Sequence, residues 1–499
     1  MITRRGFVGS VSASALAGPQ APQKQRPNFL FLMADDHAGY AFGADGNSLA
    51  WTPSLDRLAS EGVRFANHFC NSPMCTPSRQ SLFTGQMPHR TGVTRLMTPL
   101  ADDKPTIARQ LRSAGYKTAV FGKMHFQRPP FPGQHGFDTP VTEYEVDAQW
   151  KRIQNYRHPA AGVATQPAWR PLKDPARIWL NADKLPFPRY YEDMKGTWLA
   201  REAAKYLEEN RDRPFALWVS FMEPHSPFDF PVDDRNRRDP REFPVPRVGG
   251  EDDSQIPLIF RDLSEGDKQG INAAYYTSVS FLDRNIGVVL DKLRALGLDS
   301  NTFVVYTADH GYCLGHHGRI EKHCGYDPAL RVPLIMRWPG RFGARVIQDL
   351  TEHVDLSATI LDVMNAEPLP VNHGRSLRPY LETGSDPSPK DHIFSEYLEN
   401  EEAYIRTRRH KFIYCSGKRA RREGYVTLDP TPGRYTRLFD LEEDPGEFHD
   451  ISRERPDLIQ QFEAQMLTIF RQTHAQASVE PRGMAPAEAL DWYLRPPDA

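Results

Sequence analysis

The stretch Cys70-Asn71-Ser72-Pro73-Met74-Cys75-Thr76-Pro77-Ser78-Arg79-Gln80-Ser81-Leu82-Phe83-Thr84-Gly85 brings a thiol, a guanidinium and a helix start together. Pro77 suits a first helical position and disfavours a helix before it. This predicts a helix from Pro77, with Cys75 at or just before its N-terminus. There the unpaired backbone N–H groups and the dipole favour an anion. Arg79, about one turn on, can point back at the same spot. Such a setting suits a thiolate nucleophile beside an oxyanion pocket. A small buried cysteine at a helix start is the plainer reading of the same residues.

Other reactive side chains fall where apolar runs stop. Asn28 to Met33 is continuously apolar, as in a strand buried on both faces of a parallel sheet, and it ends at Asp35-Asp36. A strand over Tyr116 to Phe121 runs into Lys123 and His125, one over Phe215 to Phe221 into His225, and one over Thr302 to Tyr306 into Asp309-His310. Each, alone, reads as an ordinary turn or cap. Together they point to one site, because open α/β sheets bind ligands beyond the carboxyl ends of their strands. Three carboxylates from distant segments repel unless a divalent cation neutralises them, and hard oxygen ligands suit calcium or magnesium. Lysines, histidines and an arginine around such an ion make a pocket for a tetrahedral anionic ester. Cation, nucleophile and general acid are the minimum set for ester cleavage.

The elements that must hold these residues are legible in part. Helices are expected over about 52–62, 105–114, 193–209, 270–296 and 354–364, with a further strand over 333–338. Residues 150–189 and 231–253, rich in Pro and aromatics or in charge, read as long loops. Beyond about residue 385, short strands over 392–397, 403–406, 411–415 and 437–440 precede a final helix over 456–472, a small antiparallel sheet with a helix on it.

At 499 residues the chain exceeds one ordinary core. A formal charge of -2 does not suit nucleic-acid binding. No run is long enough to span a membrane. Five irregularly spaced cysteines give neither a disulfide framework nor a paired zinc pattern, and Cys313 with Cys324 stays open as either a pair or two thiols. Arg4-Arg5, followed by a small-residue run to Ala15-Leu16-Ala17, resembles a bacterial twin-arginine export signal over residues 1–25, which implies a periplasmic or secreted protein.

The Cys75 string, C-x-P-S-R followed by L-x-T-G, resembles the signature of the type I sulfatases of the alkaline phosphatase superfamily. The resemblance runs from about Arg26 to Leu381 and resumes at Arg437-Leu438-Phe439-Asp440-Leu441-Glu442-Glu443-Asp444-Pro445. It implies an α/β fold with a large, mixed, mostly parallel sheet between helices. Residues 26–385 would form the catalytic domain and 386–499 a C-terminal antiparallel-sheet subdomain. It also implies that Cys75 is oxidised to formylglycine by a maturation enzyme. Asp35, Asp36, Asp309 and His310 match the metal-ligand positions, with the modified Cys75 completing the shell. Arg79 matches the residue that steadies the aldehyde hydrate and His125 the one that hydrogen-bonds it. Lys123 and Lys322 match the sulfate-binding lysines, and His225 the group that binds sulfate and protonates the leaving alcohol.

The mechanism implied is attack on sulfur by one hydroxyl of the hydrate, then expulsion of sulfate by the other. His310 departs from the family's commoner Asn. Nitrogen is a poorer ligand for calcium, so manganese or magnesium stays open beside it. The expected substrate is a sulfated small molecule or saccharide. The alternatives are a phosphonate monoester or phosphodiester hydrolase with the same nucleophile, and a catalytically silent binder of sulfated glycans.

Overall fold

Strand β1 (Asn28–Ala34) is buried along its whole length, and its side chains alternate between two cores. Phe29, Phe31 and Met33 face one helical layer, while Leu30, Leu32 and Ala34 face the other. A strand covered on both faces has no polar side, which is why its sequence is one apolar run. Each large apolar side chain buried there contributes about 1.5–3 kcal/mol. The computed structural model describes residues 26–96, 98–126, 134–153, 155–167, 179–417 and 434–495.

β1 lies inside an eight-stranded sheet with β2 (Val63–Phe69), β3 (Lys117–Gly122), β4 (Thr139–Thr142), β5 (Phe215–Ser220), β6 (Thr302–Ala308), β7 (Arg331–Arg337) and β8 (Arg345–Glu352). The spatial order is β4-β3-β5-β1-β6-β7-β2-β8. Only β7 runs against its neighbours β6 and β2, and the other pairs are parallel. The mixed, mostly parallel sheet between helices is therefore as expected. Helices α1 (Pro53–Glu61), α2 (Cys75–Thr84), α3 (Ile107–Ser113), α4 (Glu143–Trp150), α5 (Lys195–Glu209), α6 (Glu265–Ala295) and α7 (His353–Val363) surround it. Leu82, Ile107, Leu111 and Ile360 cover one face; Leu58, Leu199, Leu282 and Ile286 cover the other.

Three strands have no counterpart in the sequence expectation, each for a physical reason. β4 is a four-residue edge strand containing Pro140, a residue tolerated at edges. β8 is the opposite edge, with Val346 47% exposed, so its apolar pattern is diluted. β2 carries Arg64, Asn67 and His68 and is irregular after Phe65, which breaks its alternation.

The small sheet runs β12-β11-β10-β9, from β9 (His392–Tyr397), β10 (Glu402–Thr407), β11 (His410–Cys415) and β12 (Tyr435–Asp440), antiparallel throughout. Helix α8 (Pro456–Thr473) packs on it as expected, but it is not the last. α9 (Pro486–Tyr493) follows, and Tyr493 stacks on Phe470 at 5.2 Å. Phe69, Cys70 and Met74 share a core cluster with Tyr397 and Tyr404, so the small sheet buttresses the segment leading to Cys75. Among the described residues, no helix is long and apolar enough to cross a membrane. The expected export signal lies outside the described residues.

Candidate active site

β3, β5, β1 and β6 are adjacent and parallel, so their carboxyl ends open onto one place. β1 ends in Asp35 and Asp36, both fully buried. Asp36 has a left-handed backbone (φ 66°), an unfavourable conformation for a residue with a Cβ. Two contacts hold it: its N–H donates to Asp309 Oδ1 at 3.1 Å, and the Tyr275 hydroxyl of α6 donates to its carbonyl at 2.6 Å.

α2 begins at Cys75, two residues earlier than Pro77 alone implies. Pro77 is then the third residue of the helix, where a backbone N–H has no intrahelical partner to lose. The Cys75 sulfur lies 3.2 Å from His310 Nε2, 3.3 Å from Lys322 Nζ, 3.5 Å from Asp35 Oδ1 and 3.8 Å from Lys123 Nζ. Arg79, one turn on and 2% exposed, donates from Nε to Asp309 Oδ2 (2.9 Å) and from Nη1 to Lys123 O (2.6 Å) and Ser220 Oγ (2.7 Å). Its Nη2 sits 3.6 Å from Asp35 Oδ1 and has no hydrogen bond.

The lysines complete the charge pattern. Lys123 Nζ pairs with Asp35, and Lys322 Nζ with Asp36 Oδ1 at 2.5 Å. Burial works to raise the Asp35 carboxyl, but Lys123, His225, Arg79 and Lys322 outweigh it and hold it well below the usual carboxylate range. Burial disfavours the charge of Lys322, yet Asp36 and its neighbours hold that ammonium well above its ordinary value. The carboxylates are thus offset in part by these cations, so mutual repulsion alone is a weaker argument for a metal than the sequence suggests.

The donor set still fits a cation. Asp36 Oδ2 is buried with no hydrogen-bond partner. Ligand atoms of Asp35, Asp36, Cys75 and His225 lie within 4.8 Å of one another, as do those of Asp35, Cys75, Asp309 and His310. Burial pushes His310 down to about 4, so its ring is neutral at pH 7. With Nδ1 donating to Gly311 O at 3.1 Å, Nε2 keeps its lone pair towards Cys75.

Two histidines stand at the mouth. His225, with 30% of its side chain exposed, donates from Nδ1 to Ser226 O at 2.7 Å and aims Nε2 at Asp36 Oδ2, 3.9 Å away. Burial lowers its proton affinity but the Asp36 charge more than restores it, leaving the value above that of an ordinary imidazole. His125 contacts Thr76 Oγ1 through Nδ1 at 3.0 Å, one residue from Cys75. Burial, with Lys123 and Arg79, lowers it well below its ordinary value. The expected residues Asp35, Asp36, Cys75, Arg79, Lys123, His225, Asp309, His310 and Lys322 therefore converge, with His125 one side chain removed.

Sequence reasoning missed the supports. Glu143, the first residue of α4, accepts from the N–H groups of Met124 and His125, both at 3.0 Å. Gln80 donates to the carbonyls of the same two residues at 3.0 and 3.1 Å. These four bonds clamp His125 in a left-handed conformation (φ 52°). Gln80 lies inside the Cys75 string and could be suspected from it; Glu143 follows an unread edge strand and gives no signal. Glu143→Ala is expected to lower kcat/KM about 10- to 100-fold through misplacement of the Lys123–His125 segment. Glu143→Gln, which keeps one acceptor, should lose less. Steady-state kinetics on both variants checks this, and unchanged kcat/KM in the alanine variant would remove the positioning role.

A family model described as Sulfatase matches residues 27–366, and one described as N-sulphoglucosamine sulphohydrolase, C-terminal, matches 315–473. The choline-sulfatase of Rhizobium meliloti (strain 1021) is 29% identical over 474 residues, covering 90% of this chain and 86% of that protein. The N-acetylglucosamine-6-O-sulfatase of Bacteroides thetaiotaomicron is 27% identical over 502 residues, covering 89% and 86%. Among solved structures, the phosphonate monoester hydrolase of Agrobacterium radiobacter superposes with a TM-score of 0.75 at 22% identity, over 91% of this chain and 97% of that one. At that identity the likeness speaks for the fold.

Proposed function

The chain belongs to the sulfatase family, hydrolases of sulfuric esters, and from that premise we propose that it cleaves a sulfate monoester on a sulfated sugar, using Cys75 matured to formylglycine and one calcium ion. The observation that carries this is the ring of His310, Lys322, Asp35 and Lys123 within 3.8 Å of the Cys75 sulfur. Likeness to an N-acetylglucosamine-6-O-sulfatase supports the sugar.

Asp35, Asp36, Asp309 and His310 would hold the cation. When present, the matured residue would supply an oxygen nucleophile and the cation a positive charge beside it. This chain's own residues do the rest. Lys123 and Lys322 are ammonium groups flanking residue 75, placed to bind the sulfate oxygens. Arg79 holds Asp309 in place and keeps one N–H face, Nη2, free of any hydrogen bond. His225, with Nδ1 committed to Ser226 O, offers a proton on Nε2 to the departing alcohol. His125, tied to Thr76 beside residue 75, is placed to hydrogen-bond the matured residue. We further propose that residues 1–25 direct export, that 26–385 form the catalytic domain and that 386–499 form its C-terminal subdomain.

The test is the mass of the peptide containing residue 75, from protein made alongside a formylglycine-generating enzyme. A panel of sulfated sugars, choline sulfate, an aryl sulfate and an aryl phosphonate or phosphate diester follows. An aldehyde at residue 75 with turnover of a sugar sulfate is expected. An unmodified thiol would sink the nucleophile, and a diester rate well above every sulfate rate would favour the phosphonate hydrolase whose fold this chain shares. Turnover confined to choline sulfate would move the substrate. Metal analysis after chelation and add-back separates calcium from manganese and magnesium. His225→Ala is expected to cost about 10²–10⁴-fold on sugar sulfates, whose alcohols leave poorly, and far less on an activated aryl sulfate. Equal losses on both would leave His225 as a binding group only.

A further inference from the structure

Cys313 and Cys324 belong to neither the cation set nor the sulfate pocket, yet they bracket the segment that presents Lys322. Cys313 comes three residues after His310, and Cys324 two residues after Lys322. Between them the chain doubles back: Cys313 N–H donates to Glu321 O (3.0 Å), Leu314 N–H to Ile320 O (3.2 Å) and Gly315 N–H to Arg319 O (2.7 Å). A buried ion pair braces this hairpin, Arg319 Nη2 to Glu321 Oε1 at 2.5 Å. The two thiols are 0% and 4% exposed, unbonded, with sulfurs 3.6 Å apart. Cys70 and Cys415, by contrast, face backbone carbonyls, of Ala329 and Asn400.

We propose that Cys313 and Cys324 are a redox-active dithiol that closes to a disulfide and fixes the hairpin carrying Lys322. A sulfur–sulfur bond is about 2.05 Å long, so about 1.5 Å of combined movement closes it, within reach of side-chain rotation. The oxidant is an external disulfide of the glutathione type. The sulfur of one cysteine, its proton lost to solvent, attacks that disulfide, forming a mixed disulfide and releasing one thiolate. The second cysteine, deprotonated in turn, displaces the other half, which leaves as the second thiolate. The two cysteines thus give up two electrons and two protons, and the external disulfide becomes two thiols. Burial pushes the Cys313 thiol well above its ordinary value, so exchange proceeds as the hairpin opens or before it has packed. An oxidising compartment favours the closed form and a reducing one the dithiol. None of this depends on the sulfatase chemistry.

The test uses the full-length protein held in oxidised or reduced glutathione, quenched in acid, denatured, alkylated and digested. Under oxidised glutathione the expected product is one peptide pair joined through Cys313 and Cys324, lighter by two hydrogens, with Cys70 and Cys415 alkylated. Under reduced glutathione Cys70, Cys313, Cys324 and Cys415 are all alkylated, whatever the state of residue 75. Hydrogen exchange across residues 313–324 should slow on closure in the wild type and not respond to glutathione in Cys324→Ser. Separate alkylation of Cys313 and Cys324 after oxidation overturns the proposal, as does a lasting glutathione adduct or a cross-link to another cysteine. Closure without slower exchange overturns the fixing of the hairpin. Should Cys324→Ser fail to fold, the wild-type peptide map and exchange comparison decide alone.

Discussion

Cys75→Ala is expected to lower kcat by at least about 10⁴-fold while leaving the melting temperature within a few degrees of wild type. The size follows from what is removed: loss of an attacking residue costs on this order or more elsewhere, because binding and electrostatics alone sustain only residual turnover. Nearby hydroxyls offer no substitute. Thr76 Oγ1 is engaged with His125, and Ser78 Oγ lies against the Asp309 carbonyl and 3.1 Å from His353 Nδ1. Stability should barely change, since the thiol is one small group and Met74, Leu82 and Phe83 anchor the segment independently. Removing it also frees Lys322 and Lys123 from a neighbour while each keeps its carboxylate partner. The measurements are turnover on the best substrate, labelling of the protein by an aldehyde-reactive hydrazide, and thermal melting. Loss of labelling with loss of turnover at constant melting temperature is the expected result. Turnover within tenfold of wild type would mean that residue 75 is not the nucleophile.

The parts of the fold legible in the sequence are those where one force dominates. β1, β5 and β6 are sealed on both faces, so burial alone dictates their composition and their ends. β4 and β8 border solvent, and there polar residues and Pro140 blur the pattern that burial writes elsewhere. The site follows the same division. Asp35-Asp36, Lys123, His225 and Asp309-His310 announce themselves because each ends a buried run. Lys322 sits in a hairpin with no such marker, and only the family resemblance singles it out. Glu143, Ser220 and Tyr275 act through backbone groups or through Arg79, at distances in sequence that no local pattern encodes. The pairing of Lys123 and Lys322 with Asp35 and Asp36 is likewise a fact of three dimensions. It turns an expected anion pocket into a cluster in which each lysine already holds a carboxylate.

Arg79→Ala is expected to destabilise the protein by about 3–5 kcal/mol and to lower kcat/KM by at least about 10³-fold. Arg79 joins all four strand ends of the site. It reaches Asp309 after β6, the Lys123 carbonyl after β3, Ser220 at the end of β5, and Asp35 after β1 at 3.6 Å. Taking it away leaves the Asp309 carboxylate, fully buried, without its strongest partner and the Asp35 carboxylate less well compensated. A buried charge stripped of its partner costs far more than an intact pair contributes. Arg79→Lys should recover part of the stability and little activity, because an ammonium cannot span Asp309, Lys123 and Ser220 with the planar fork of a guanidinium. A double variant, Arg79→Met with Asp309→Asn, separates the two roles. Removing both charges relieves the electrostatic penalty, so its urea midpoint should approach that of wild type, while activity should stay lost, as the proposed role of Asp309 in holding the cation requires. Urea unfolding and kcat/KM on all three variants give the comparison. An Arg79→Ala protein with a wild-type midpoint would show that the four strand ends hold their arrangement without the guanidinium, and that the site is preorganised by the sheet alone.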